Sequence, residues 1–211
     1  MNDLKNLYAE IKNSIDVRLA EFDAIWERGD DAEIFAEMAF CLCTPQTNAH
    51  YGDIAVKALV ETGYLWDGHE EQIACILKDS GVRFHKNKAN HIVRCRGKYL
   101  VSTKEKLEDI MKHTVRESRN SLAMDVTGWG LKEASHFLRN VGFGAGVCIL
   151  DRHILRCLSD YDVVSAIPKV LTSKLYLDIE EDMVHFAAEV DIPVEALDFV
   201  FWYRQKGEIF K

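Results

Sequence analysis

A chain of 211 residues, 48% hydrophobic and 28% charged, can bury one good core or two small subdomains, and it has no uncharged apolar run long enough to span a bilayer. Its net charge of −8 excludes a uniformly basic coat, and the start MNDLKNLYAEIKN lacks the apolar stretch of a secretory signal, so a soluble cytoplasmic protein is expected. The six cysteines, at 41, 43, 75, 95, 148 and 157, form no C-x-x-C pair and sit in apolar surroundings, which reads as buried thiols in a reducing compartment.

The pattern predicts helices almost throughout. Only Pro45, Pro168 and Pro193 interrupt it, and no alternating strand pattern persists. Leu4, Leu7, Ile11, Ile15, Leu19, Phe22 and Trp26 share one helical face over 4–27; Gly29-Asp30-Asp31 ends that helix and caps the next, 32–43. Thr44-Pro45-Gln46-Thr47-Asn48 is a turn that opens a helix through Val60, and 63–68 reads as a loop. Helices follow at 70–77 and 86–99, divided by Ser80-Gly81, then a short one capped by Thr103 and ending near Met111. A further helix spans 115–125 and leads into a tight Gly128-Trp129-Gly130 turn. In the helix after it, Leu131, Ala134, Leu138 and Val141 fall on one face. A loop with Gly142, Gly144 and Gly146 leads to Asp151, a good N-cap for a helix through Ser159, and helices at 173–190 and 194–203 close the chain. The expected architecture is all-α: two helical subdomains with a cleft between them. One subdomain combines 1–30 with 150–211; the other is 31–149 and contains a helix-hairpin-helix at 115–141.

The chemistry concentrates around that hairpin. Gly128 and Gly130 can present backbone N–H groups to a phosphate, helped by the positive end of the following helix. Lys132 stands in the first turn of that helix, and Asp151 comes 19 residues later. An amine with a carboxylate brought back beside it can perform covalent chemistry at an electrophilic carbon. Charge is segregated along the chain. Arg83, Lys86, Lys88, Arg94, Arg96 and Lys98 form a run without an acid, whereas 175–203 holds eight acids and no Lys or Arg. Such a split can leave a basic face on an acidic body, with Arg94 and Arg96 contacting phosphate, although two ordinary solvated helix faces would read the same way. No H-E-x-x-H is present, and His85 and His91 are not spaced as an i, i+4 ligand pair, so no metal site is expected.

The stretch VTGWGLKEASHFLRNVGFGAGVCILD, Val126 to Asp151, resembles the helix-hairpin-helix, Gly-rich loop and Asp signature of the DNA glycosylase superfamily. A lysine just past the hairpin, with an aspartate at that distance, is similar to its bifunctional glycosylase/lyase members. More narrowly, KEASHFLRNVG, Lys132 to Gly142, resembles the type-2 8-oxoguanine DNA glycosylase/AP lyases of archaea and some bacteria. The resemblance implies that Lys132 is the nucleophile and that Asp151 stabilises positive charge on the sugar. It implies that Gln46 wedges into the gap left by an extruded base, and that Phe84 and Trp202 stack on the two faces of that base. Lys211 matches the C-terminal lysine of that family's base pocket, where an ammonium and a carboxylate together would read the base. Duplex DNA containing 8-oxoguanine is the implied partner of a monomer needing no cofactor, working at the nucleoid. The closely spaced C-terminal cysteines of the endonuclease III branch are missing, so no iron–sulfur cluster is expected.

Taken singly, these residues have plainer readings. Gln46 is a solvated polar residue, Phe84 and Trp202 are core aromatics, and His136 and His153 are structural hydrogen-bonding residues. Two other functions stay open: a glycosylase/lyase for other oxidised bases, which keeps the same nucleophile, and a non-catalytic helix-hairpin-helix module, which would need neither Lys132 nor Asp151.

Overall fold

The computed structural model describes residues 1–211 as twelve helices and no strand. They are α1 Asn2–Arg28, α2 Asp31–Cys43, α3 Ala49–Glu61, α4 Tyr64–Asp67, α5 Glu70–Asp79 and α6 His85–Tyr99. Then come α7 Thr103–Ile110, α8 Val115–Asp125, α9 Leu131–Asn140, α10 Arg152–Asp160, α11 Ser173–Glu189 and α12 Val194–Lys206. The boundaries follow local chemistry. Gly29 takes the left-handed conformation (φ 67°) that ends α1, and Asp30 caps α2 by accepting from the Ala32 N–H at 2.8 Å. Thr114 and Glu117 form a reciprocal capping box at the start of α8.

α2 carries the apolar run 34–43 and is buried nearly all round, as expected of a helix surrounded by others. It packs against α1, α3, α6, α7 and α9. α12 collects α1, α10 and α11, and α5 lies along α6. α9 touches α1, α2 and α8, and so lies between the two groups of helices. One continuous apolar core runs through both groups. No helix is long and apolar enough to cross a membrane.

Two local expectations are corrected. Residues 64–67, read as loop, make the single helical turn α4. Thr103 is not the cap of its helix: Ser102 is, in a left-handed conformation, while the buried Thr103 hydroxyl donates back to Tyr99 O at 2.8 Å. The acidic segment 175–203 is not simply a solvated face either. Glu180 is 1% exposed and is clasped by the fully buried Arg119 at 2.9 and 3.0 Å. Asp198 is buried against Arg139, whose Nη1 donates to both carboxylate oxygens at 2.8 and 2.9 Å. Removing one member of such a pair would leave an uncompensated buried charge, at a cost of about 3–5 kcal/mol.

Candidate active site

A cleft of about 640 Å³ opens between the 44–49 turn, the first turns of α9 and α10, and α12 with the tail behind it. Gln46, Lys132, His136, Asp151, Trp202 and Lys211 all line it. Two helices thus bring their N-terminal turns, and the partial positive charge there, to one cavity.

The hairpin sets Lys132. Gly128 adopts φ 98°, and a Cβ there would lie 2.2 Å from His91 Nδ1 of α6, so only glycine lets the hairpin pack on that helix. Gly130 is extended and needs no special φ. Its N–H donates to Glu133 Oε2 at 3.0 Å, and Glu133 Oε1 lies 3.0 Å from Lys132 Nζ. One carboxylate therefore closes the hairpin and steadies the lysine, whose side chain remains 23% exposed to the cleft.

Asp151 caps α10 as its sequence position required. Oδ1 accepts both the His153 N–H at 2.7 Å and the Ile154 N–H at 2.8 Å, leaving Oδ2 without a protein partner. The loop before it is held from behind. Glu180, already paired with Arg119, accepts the Cys148 N–H at 2.9 Å, and the Tyr176 hydroxyl donates to Cys148 O. Burial pushes the Tyr176 phenol above its ordinary range, so it stays a neutral donor.

The tail crosses the cleft mouth. His50 pairs with Glu208 at 2.6 Å and packs on Phe210, with ring centroids 4.0 Å apart. The Lys211 ammonium reaches Glu37 at 2.6 Å and Asp53 at 3.3 Å. Burial opposes its charge, but the two carboxylates outweigh burial and hold its pKa above the ordinary value. The ammonium is thus paired with two carboxylates, while Lys211 lines the cavity. Beside it, burial holds the His136 imidazole well below its usual pKa, with Arg139 adding to the effect. The ring is therefore neutral; it lies edge-on to Phe40 at 5.4 Å, and its Nε2 has no partner.

The two expected stacking aromatics are placed differently. Trp202 is in the cleft, edge-on to His153 at 5.4 Å. Phe84 is not: it is 52% exposed, left-handed (φ 56°), and capped by the Arg83 guanidinium 5.5 Å from its ring centroid. The basic run is also less free than its composition suggests. Arg96 donates to Tyr64 O at 3.3 Å and Gly68 O at 2.9 Å, so part of its guanidinium braces α4. Lys98 pairs with Asp125, and Lys88 is buried. Arg83, Lys86 and Arg94 remain exposed and outside any salt bridge. The sequence reading missed Glu37, Asp53, Arg119, Glu133, Tyr176 and Glu180. Glu37 alone had a visible signal, as an acid within the otherwise apolar run 34–43.

Residues 15–192 match the family model for 8-oxoguanine DNA glycosylase. A curated relative from Fusobacterium nucleatum, an 8-oxoguanine DNA glycosylase/AP lyase, is 39% identical over all of this chain and 97% of its own length. The crystal structure of the 8-oxoguanine DNA glycosylase of Thermotoga maritima superposes with a TM-score of 0.89 at 31% identity, covering 100% of this chain and 97% of that one. The glycosylase/lyase of Methanocaldococcus jannaschii, solved with 15mer DNA containing 8-oxoguanine, superposes with a TM-score of 0.86 at 32% identity over 99% of each chain.

Proposed function

The chain belongs to the 8-oxoguanine DNA glycosylase family, and from that premise we propose that it excises 8-oxoguanine from DNA and cleaves the strand at the resulting abasic site. The observation that carries the reading is that Lys132 and Asp151 line one cleft, each in or at the first turn of a helix. The glycosidic bond is inaccessible inside a duplex, so the damaged nucleotide is extruded into the cleft, with the backbone bent.

Lys132 attacks C1′ of the sugar as the neutral amine. The C1′–base bond breaks, and its electron pair leaves with the base, which takes up a proton. Asp151, through its unpaired Oδ2, stabilises the positive charge that develops on the sugar. The bound amine loses its proton and opens the sugar ring to a Schiff base. That iminium acidifies the C2′ proton; its removal expels the 3′ phosphate by β-elimination, and water releases Lys132. Gln46 fills the vacated space in the stack. Trp202 stacks on the extruded base from inside the cleft and Phe84 closes on it from outside; such stacking contributes roughly 1–3 kcal/mol per base. Arg94 and the hairpin amide at Gly128 meet the phosphates, while the Gly130 N–H stays on Glu133. The enzyme works as a monomer at the nucleoid, without cofactor or iron–sulfur cluster.

The test is a set of duplexes holding one 8-oxoguanine, one oxidised pyrimidine or one abasic site, each treated with borohydride. Cleavage and a trapped covalent adduct are expected for 8-oxoguanine and for the abasic site. Preferential cutting of the oxidised pyrimidine would shift the assignment to an endonuclease III-like specificity.

Asp151→Asn separates the two jobs of that residue. Asparagine caps helices about as well as aspartate, so the melting temperature should move little, by about 0.5 kcal/mol of stability at most. Base excision should fall by orders of magnitude, because a neutral amide cannot stabilise the cationic sugar. Parallel loss of folding and activity in thermal melts and single-turnover assays would make Asp151 a cap only.

A further inference from the structure

Lys88 is the buried member of the basic run, with 4% of its surface exposed. Its ammonium donates to Cys43 O at 2.7 Å, to Pro45 O at 2.7 Å and to Thr47 Oγ1 at 2.8 Å, which uses all three of its N–H bonds. Thr47 Oγ1 also accepts the Arg83 N–H at 3.1 Å. One cation therefore stitches the end of α2, the 44–48 turn and the start of α6 together. That turn presents Gln46, exposed and left-handed at φ 54°, and the start of α6 presents Phe84, exposed and left-handed at φ 56°. Such conformations cost non-glycine residues about 1–2 kcal/mol and persist only where surrounding contacts impose them.

No carboxylate contacts the ammonium, and burial lowers its pKa to about 8. A buried cation without an anionic partner is a poor source of stability, since an apolar side chain of similar length would fill the space without the desolvation cost. Its three-way geometry instead suits registration of one segment against another.

We propose that Lys88 is a positioning residue whose ammonium holds the Gln46 turn and the Phe84 cap in one fixed relation, so that both meet the DNA at the place from which the damaged base is extruded. This rests on the reading above that Gln46 enters the base stack. Duplex DNA needs the wedge because extrusion leaves a gap beside an unpaired base; a single strand carrying an abasic site has no such gap.

Lys88→Met keeps most of the stem and removes the three donors. It should slow 8-oxoguanine excision from duplex DNA by at least about tenfold, the effect of losing one or two well-formed hydrogen bonds. Its lyase rate on a single-stranded abasic oligonucleotide should remain at the parental level. A 2-aminopurine placed opposite the lesion, which brightens when its partner is expelled and a side chain enters, should lose most of that signal. Because a buried substitution can destabilise, Thr47→Ala removes the shared acceptor from a half-buried site and should show the same split to a smaller degree. Gln46→Ala, run alongside, tells the two levels apart. If it leaves duplex excision and the 2-aminopurine signal unchanged, the wedge reading fails and the role of Lys88 falls with it. If it depresses both while Lys88→Met and Thr47→Ala remain parental, only the positioning role is overturned. Equal loss on duplex and single-stranded substrates would make Lys88 a stabiliser and overturn it as well.

Discussion

Lys132→Gln is expected to abolish both base release and borohydride trapping while leaving the fold and the affinity for lesion DNA nearly unchanged. Glutamine and lysine have nearly equal helix propensities, so the first turn of α9 should lose no more than a few tenths of a kcal/mol. The hairpin also survives, because it is closed by the Gly130 N–H to Glu133 contact at 3.0 Å and not by the lysine. What disappears is the amine proposed to form the covalent bond, and the Lys211 ammonium is not free to replace it, because Glu37 and Asp53 hold it. The loss should therefore be at the limit of detection for the chemical step, with binding retained in a gel-shift or anisotropy titration. A covalent adduct still formed by the variant would move the nucleophile to another residue.

Deleting Lys211 is expected to reduce 8-oxoguanine excision by about a hundredfold while sparing strand cleavage at a preformed abasic site, where no base is read. Three consequences of the deletion act together. The buried Glu37 loses its cation, while Asp53 keeps Lys57 at 2.7 Å, and the tail loses its anchor beyond the His50–Glu208 pair. The polar main chain that Lys211 sets beside the neutral His136 is also removed. 8-Oxoguanine differs from guanine by a hydrogen on N7 and an oxygen on C8, a difference that shape alone reads poorly. Polar groups placed against that edge discriminate strongly because the wrong base leaves them buried and unpaired. Lys211→Met refines the test. It keeps the main chain but releases the latch, so single-turnover excision should fall by an intermediate factor. Parental excision by the truncated protein would take the tail out of the base pocket.

The helices and most of their ends were legible because each depends on residues a few positions apart. The 3.6-residue period marked nearly every helix, Asp30 and Asp151 announced N-caps, and Gly128 announced the hairpin. Lys132 and Asp151 stood out through their resemblance to the glycosylase/lyase signature, and both line the cleft. The pairings that complete the site were not legible, since they join residues far apart in sequence: Arg119 to Glu180 across 61 positions, Arg139 to Asp198 across 59, Lys211 to Glu37 across 174. A charged residue looks the same in a string whether water or a buried partner surrounds it. Packing alone turned Glu180 and Asp198 inward, spent Arg96 on the carbonyls of α4, left Phe84 outside the cleft and buried the Lys88 ammonium beneath the Gln46 turn. Local stereochemistry determined which helices form and where Lys132 sits. Desolvation, which exists only once the helices have packed, decided which charges remain free to meet DNA and which hold the site in place.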